Sequence, residues 1–179
     1  MRFSGSPTKA NKLLSRILHL RHLRSEKGKE MNHILEKMKK MELNAPCNVE
    51  QLNTMEQKLN VVLPRQYMDF MQLHEGGEGS IGEYAYLAIW DISEMLSFNQ
   101  SRDINMYIRG LIYFASDRGG SLYAFDTNRD MKIVELEYDS IDYSESEVVA
   151  DSFEEFVEYI YCIDDSEFDD IEFDDSEIN

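Results

Sequence analysis

Cysteine is almost missing: Cys47 and Cys162 are the only two in 179 residues and stand 115 positions apart. Without a CxxC pair, neither a disulfide framework nor a cysteine-ligated zinc site organises the chain, and the expected setting is reducing and cytoplasmic. Long apolar runs are also missing. The longest, such as Leu111 to Ala115, have the length of a strand and not of a membrane span. No Gly-x-Ser-x-Gly elbow occurs, and neither cysteine has a histidine nearby in sequence, so no activated nucleophile is legible. The glycine pairs Gly76-Gly77 and Gly119-Gly120 lack the lysine and hydroxyl residue of a phosphate loop and read as turn chemistry. His19 and His22 have no third ligand, and the acidic repeats lack the spacing and glycine of a calcium loop. No cofactor and no metal is expected.

What is present in excess is negative charge. Eighteen basic and 35 acidic side chains leave a net charge of −17. Residues 1–30 carry +6 and the remainder −23. Only that first stretch has the basic density that phosphate binding rewards, so the body is expected to repel nucleic acid and anionic membranes. Such a body favours a basic protein partner, whose approach its field accelerates. A solvated face with no partner is the alternative reading of the same charges.

Three zones follow. Residues 1–30 place Leu13, Leu14, Ile17, Leu18, Leu20 and Leu23 among arginines and lysines, a basic amphipathic pattern. It fits a surface-binding arm, a presequence, or untranslated sequence ahead of a native start at Met31, where Ser25 to Glu30 is compatible with purine-rich codons. Residues 31–163 carry the folded signals. Asn48 and Gln51 form a capping box opening a helix over 48–60. Pro64, at a first-turn position, opens a second helix with Tyr67, Phe70, Met71 and His74 on one face, stopped by Gly76 and Gly77. Strands are expected over Tyr84–Trp90, Leu111–Ser116, Ser121–Asp126 and Met131–Glu137, with a short helix after a capping box of Asp91 and Glu94. Four-residue connections, 117–120 and 127–130, permit only antiparallel pairing. A last capping box, Ser152 with Glu155, starts a helix presenting Phe153, Phe156, Val157, Ile160 and Tyr161. The fold class is therefore α+β, an antiparallel meander sheet with helices packed against it. Residues 164–179 hold a five-residue acidic repeat punctuated by Phe168, Phe173 and Ile178, which predicts an extended, self-repelling tail, either an inert solvated segment or one whose apolar residues anchor a partner.

The body resembles the SUKH superfamily, which includes a fungal cell-wall synthesis regulator and many bacterial immunity proteins. The resemblance runs from about Asn48 to Cys162. It rests on Met55 to Met71, similar to the family's helix, Leu-Pro, then Tyr and Phe entry, and on His74-Glu75-Gly76-Gly77, where the family commonly has Asn-Gly-Gly. It rests also on Asp117 to Asp126, like the family's glycine turn and aspartate-ended strand, and on Ala150 to Phe156 at the closing helix. The resemblance implies a non-enzymatic protein-binding module. In bacterial members this means an immunity protein that blocks a toxin domain, often a nuclease, of a polymorphic or contact-dependent system; in fungal members it means a regulatory scaffold. The family motifs are core and turn positions and nominate no binding residues. The expected contacts with a basic toxin are instead the acids assigned to loops beside the sheet: Glu75, Glu78, Glu83, Asp139, Asp142, Glu145 and Glu147.

Overall fold

Local capping chemistry sets the helices. The Asn48 side chain accepts the Gln51 N–H at 2.9 Å while the Gln51 side chain accepts the Asn48 N–H at 3.0 Å, and helix α2 runs Val49–Leu59. Asp91 and Glu94 exchange the same pair of bonds at the start of α4, Ile92–Asn99. The structure, a computed structural model, describes residues 28–101, 110–139 and 143–163. The expectations for the basic arm before residue 28 and for the acidic tail fall outside those residues. Helix α1 covers 28–37 and buries Met31 and Ile34, and Met38 is buried in the turn that follows, so the core draws on residues ahead of the first capping box.

Two caps differ from expectation. Pro64 is the N-cap of α3 (Arg65–Leu73) and not its first helical residue, with extended angles of φ −56° and ψ 131°. The helix starts one residue late because Leu63 is tied back, its N–H donating to the Glu56 carboxylate at 2.7 Å. At the last helix, α5 (Phe153–Tyr161), Ser152 accepts the Glu155 N–H, but the Glu155 carboxylate takes the N–H of Asp151, so the reciprocal half of the box is displaced by one residue.

Seven strands form one antiparallel sheet in chain order, a meander as expected: β1 Met41–Leu43, β2 Gly77–Ile81, β3 Ala85–Ile89, β4 Leu111–Ser116, β5 Ser121–Asp126, β6 Lys132–Glu137 and β7 Glu147–Ala150. Three of them, β1, β2 and β7, lack the apolar alternation that identifies the other four. β2 reads Gly-Glu-Gly-Ser-Ile, and its glycines serve close approach and not helix termination. A β-carbon on Gly77 would lie 2.6 Å from the Glu42 carbonyl oxygen, and one on Gly76 would lie 2.4 Å from that of Ile89. Helix α3 instead ends at Leu73, followed by an extended His74.

The β4–β5 turn is organised by Asp117, whose Oδ1 accepts the N–H groups of Gly119, Gly120 and Ser121 within 2.9 Å. The next turn is held by Asp126, fully buried, which accepts from Asn128 N–H, the Tyr143 hydroxyl and the Arg129 side chain. Met131, expected to open β6, is in that turn with φ 62°.

The core is aromatic. Tyr67 of α3 meets the rings of Phe114, Phe125 and Phe153 edge-on at 5.1–5.4 Å, and Phe114 stacks on Phe125 at 4.3 Å. Of the apolar face expected for α5, Phe153, Phe156, Val157 and Ile160 are buried, but Tyr161 is 40% exposed. It is covered by a cation instead: Lys37 of α1 lies 4.3 Å from its ring centroid and pairs with Glu158 at 2.6 Å. Tyr67→Ala is expected to cost about 3–5 kcal/mol of unfolding free energy, because the emptied space is walled by three rigid rings. Urea denaturation measures it.

Candidate functional site

Register arithmetic places the acids. In an antiparallel sheet, directly paired residues share a face. Glu78, Ala88, Ser116, Leu122 and Leu136 form one row, and Ile89, Ala115, Tyr123, Glu135 and Glu147 form the adjacent row on the opposite face. The expected contact acids are therefore divided. Glu78 is a residue of β2 and not of a loop, and its carboxylate accepts Arg118 Nη2 at 2.9 Å and Nε at 3.2 Å. Glu147 opens β7 opposite Glu135, again in a strand. Glu145 ends a 3-10 turn over Tyr143–Glu145, Glu83 lies in the β2–β3 turn and Asp139 follows β6; all three are exposed. Glu75 is half-buried beside β1, its N–H donating to the Ala45 carbonyl. Asp142 lies outside the described residues. Sequence reasoning missed the strand positions because neither β2 nor β7 alternates in hydropathy.

Two clefts adjoin these acids. The first, about 450 Å³, has Trp90, Phe98, Leu122 and Tyr138 as walls and Arg118 at its mouth. That guanidinium is already held by Glu78 and lies 3.8 Å from Glu94, so its charge is met from within the chain. The second, about 330 Å³, is lined by Tyr123 and Glu135 together with Tyr84, Tyr86, Asp117 and Tyr159. It opens because β3 pairs with β4 only through Ala88 and Ile89, leaving Ala85 to Leu87 beyond the end of β4. Trp90 is buried, whereas Tyr84 and Tyr86 are 47% and 40% exposed.

Glu135 is set by two hydroxyls, donated by Tyr159 at 3.0 Å and Tyr123 at 3.4 Å. Burial, followed by the negative charge of Glu135, pushes the Tyr123 phenol well above its ordinary range. It acts as a hydrogen-bond donor and not as a base.

Elsewhere the chemistry of a nucleophile is weak. Cys47 is buried and donates to the Met71 carbonyl. Cys162 is exposed beside Glu158, and its thiol is pushed up by desolvation and by its hydrogen bond to that carboxylate, the reverse of activation. His33 of α1 stands 3.5 Å from the same carboxylate. His74 caps α3, and its ring meets the Asn44 carbonyl, which anchors the loop after β1. Among the described residues no group of three or more His, Cys, Asp or Glu side chains is placed to hold a metal ion, and no helix is long and apolar enough to cross a membrane.

The helix–Leu-Pro–helix entry, the glycine-bearing β4–β5 turn and the closing α5 thus stand in one meander fold, and the family model described as SMI1 / KNR4 family (SUKH-1) matches residues 46–159. The chain belongs to this family. No curated protein matches the sequence. The SUKH-1 match begins after α1 and β1, so those two elements lie outside the matched stretch, although Met31, Ile34, Met38 and Met41 are part of the core.

Buried phenols give this SUKH-1 domain a readable alkaline limit. Tyr113 is pushed up to about 12 by burial, and Tyr67 and Tyr123 are raised further. The unfolded chain's phenols ionise near about 10, so between that pH and 12 the unfolded state binds fewer protons than the folded one. Stability should therefore be intact below pH 10 and fall steadily from there to pH 12. Near-ultraviolet tyrosinate absorbance should show Tyr67 and Tyr123 ionising only with unfolding.

Proposed function

We propose that this protein is a non-enzymatic, immunity-type binding module that neutralises a basic, nuclease-type toxin domain by covering its phosphate-binding surface. The observation that carries the reading is membership of SUKH-1 in a chain whose residues 31–179 bear −23. A nuclease must hold phosphates with lysines and arginines, and an anionic protein competes for the same charges. Glu83, Asp139, Glu145 and Glu147 are exposed and have no ion-pair partner among the described residues, so their charge is available to a partner. Glu78 contributes less, since Arg118 already meets it. Occlusion requires no bond to be made or broken, which agrees with the raised thiols and phenols of the fold.

The test is co-expression with, and binding to, the toxin domain encoded beside this gene. Protection of the cell and tight binding are expected, with an association rate that drops steeply as salt is raised. Changing Glu83, Glu145 and Glu147 to glutamine together with Asp139→Asn should slow association about tenfold and leave dissociation nearly unchanged. Absence of binding, or salt-independent association, would overturn the reading. Capture of a cellular regulatory protein instead would move the assignment to a scaffold of the cell-wall-regulator type.

A further inference from the structure

A groove of about 630 Å³ is lined by α3 through Arg65, Asp69, Gln72 and Leu73 and by the first turn of α1 through Gly28 and Met31. Leu73 is 45% exposed. Asp69 pairs with Arg65 at 3.6 Å, an i,i+4 pair whose arginine is 79% exposed and which contributes little. The basic arm joins the domain at Gly28, in the wall of this groove. Residues 8–27 of that arm contain neither proline nor glycine. Helical pitch carried back from α1 sets Lys27, Arg24, Leu20, Ile17 and Leu13 about one, two, three, four and five turns before Met31, and so in line with that core residue. The apolar stripe of α1 therefore runs on into the arm without a break in phase. His22, about two and a half turns before Met31, falls on the opposite side. Gly28 itself has no left-handed angle, and a β-carbon on it would meet nothing within 4 Å, so neither a turn nor a close approach at the junction requires glycine.

We propose that residues 13–27 continue α1 as one helix and seat their leucine stripe in this groove, with Leu20 against Leu73 and Arg24 beside Asp69. A helix of this length frays in water unless its apolar face is covered. The groove offers that cover at the point where the arm begins, and the tether gives the arm an about millimolar local concentration there, which a second copy of the chain must exceed to displace it. Charge acts in the same direction, since residues 1–30 carry +6 and the remainder −23. The phase is decisive for the pairing: the two cations nearest the junction, Arg24 and Lys27, share the Met31 face, as the carboxylate in the groove requires. The inference stands apart from the basic-partner reading. It also keeps the arm away from Glu83, because the far end of α1 is the one at the β2–β3 turn, where Lys40 bonds the Gly82 carbonyl at 2.9 Å.

Hydrogen–deuterium exchange of the full-length protein, read by mass spectrometry, tests this without any partner. Amides of residues 17–27 are expected to exchange at least about a hundredfold more slowly than an unstructured chain. Leu20→Gln, which lies in the arm and leaves the body intact, should lower that protection about tenfold, and the exposed Leu73→Gln should do the same from the other side of the contact. His22→Gln should change nothing, and Gly28→Ala should raise the protection several-fold by favouring an unbroken helix. Exchange of the arm at unstructured rates would overturn the proposal. So would protection that survives both Leu20→Gln and Leu73→Gln in proteins with native near-ultraviolet dichroism, or an equal loss in His22→Gln. Protection should also be the same after a tenfold dilution; a fall would assign the stripe to a second copy of the chain and overturn the intramolecular seat. None of these outcomes bears on whether a basic toxin domain is bound, which the co-expression experiment decides separately.

Discussion

Ring-on-ring packing around Tyr67 is the contact on which the remainder of the domain depends. It joins α3 to β4 and β5 and to α5 through Phe114, Phe125 and Phe153, three partners distant in sequence. Tyr67 is fully buried, and among the described residues its hydroxyl reaches only the Met95 sulfur at 3.6 Å, so the phenol must stay protonated for the core to stay closed. Because this cluster sets where α5 lies on the sheet, it also sets where Tyr159 meets Glu135. The cleft beside Glu135 is thus a consequence of core packing.

Surface charge is managed differently at the two clefts. Around Trp90 the chain neutralises its own guanidinium, Arg118 between Glu78 and Glu94, which also steadies a residue held at φ 61°. Around Tyr123 the chain leaves its carboxylates to tyrosine hydroxyls and backbone N–H groups, which orient them but carry no full positive charge. Here α1 shows the internal solution, with Lys37 shared between Glu158 and the ring of Tyr161.

Much of the fold was legible in the chain because its signals are local. Asn48 with Gln51 and Asp91 with Glu94 are boxes of adjacent residues, and their geometry follows from backbone angles that few other sequences satisfy. The four apolar strands and their short turns compel antiparallel order. The strands that escaped notice, β1, β2 and β7, are short, and β2 is built of glycine, serine and glutamate; they are strands because a neighbour supplies their hydrogen bonds. The second glycine of the Gly76-Gly77 pair was legible as a constraint but not as a cause, since the backbone it admits, that of β1, is more than thirty positions away.

The sequence by itself determined helices α2 to α5, the central strands, the meander order and the sign of the charge, because each depends on neighbouring residues or on composition alone. It also marked the acids without saying which are spoken for. Only the tertiary structure decided that Glu78 is paired with Arg118, that Glu147 faces Glu135, and that tyrosines from β3, β5 and α5 share one cleft. Those are contacts between segments separated by tens of residues, and their geometry depends on register and on packing around Tyr67, quantities that no local pattern encodes.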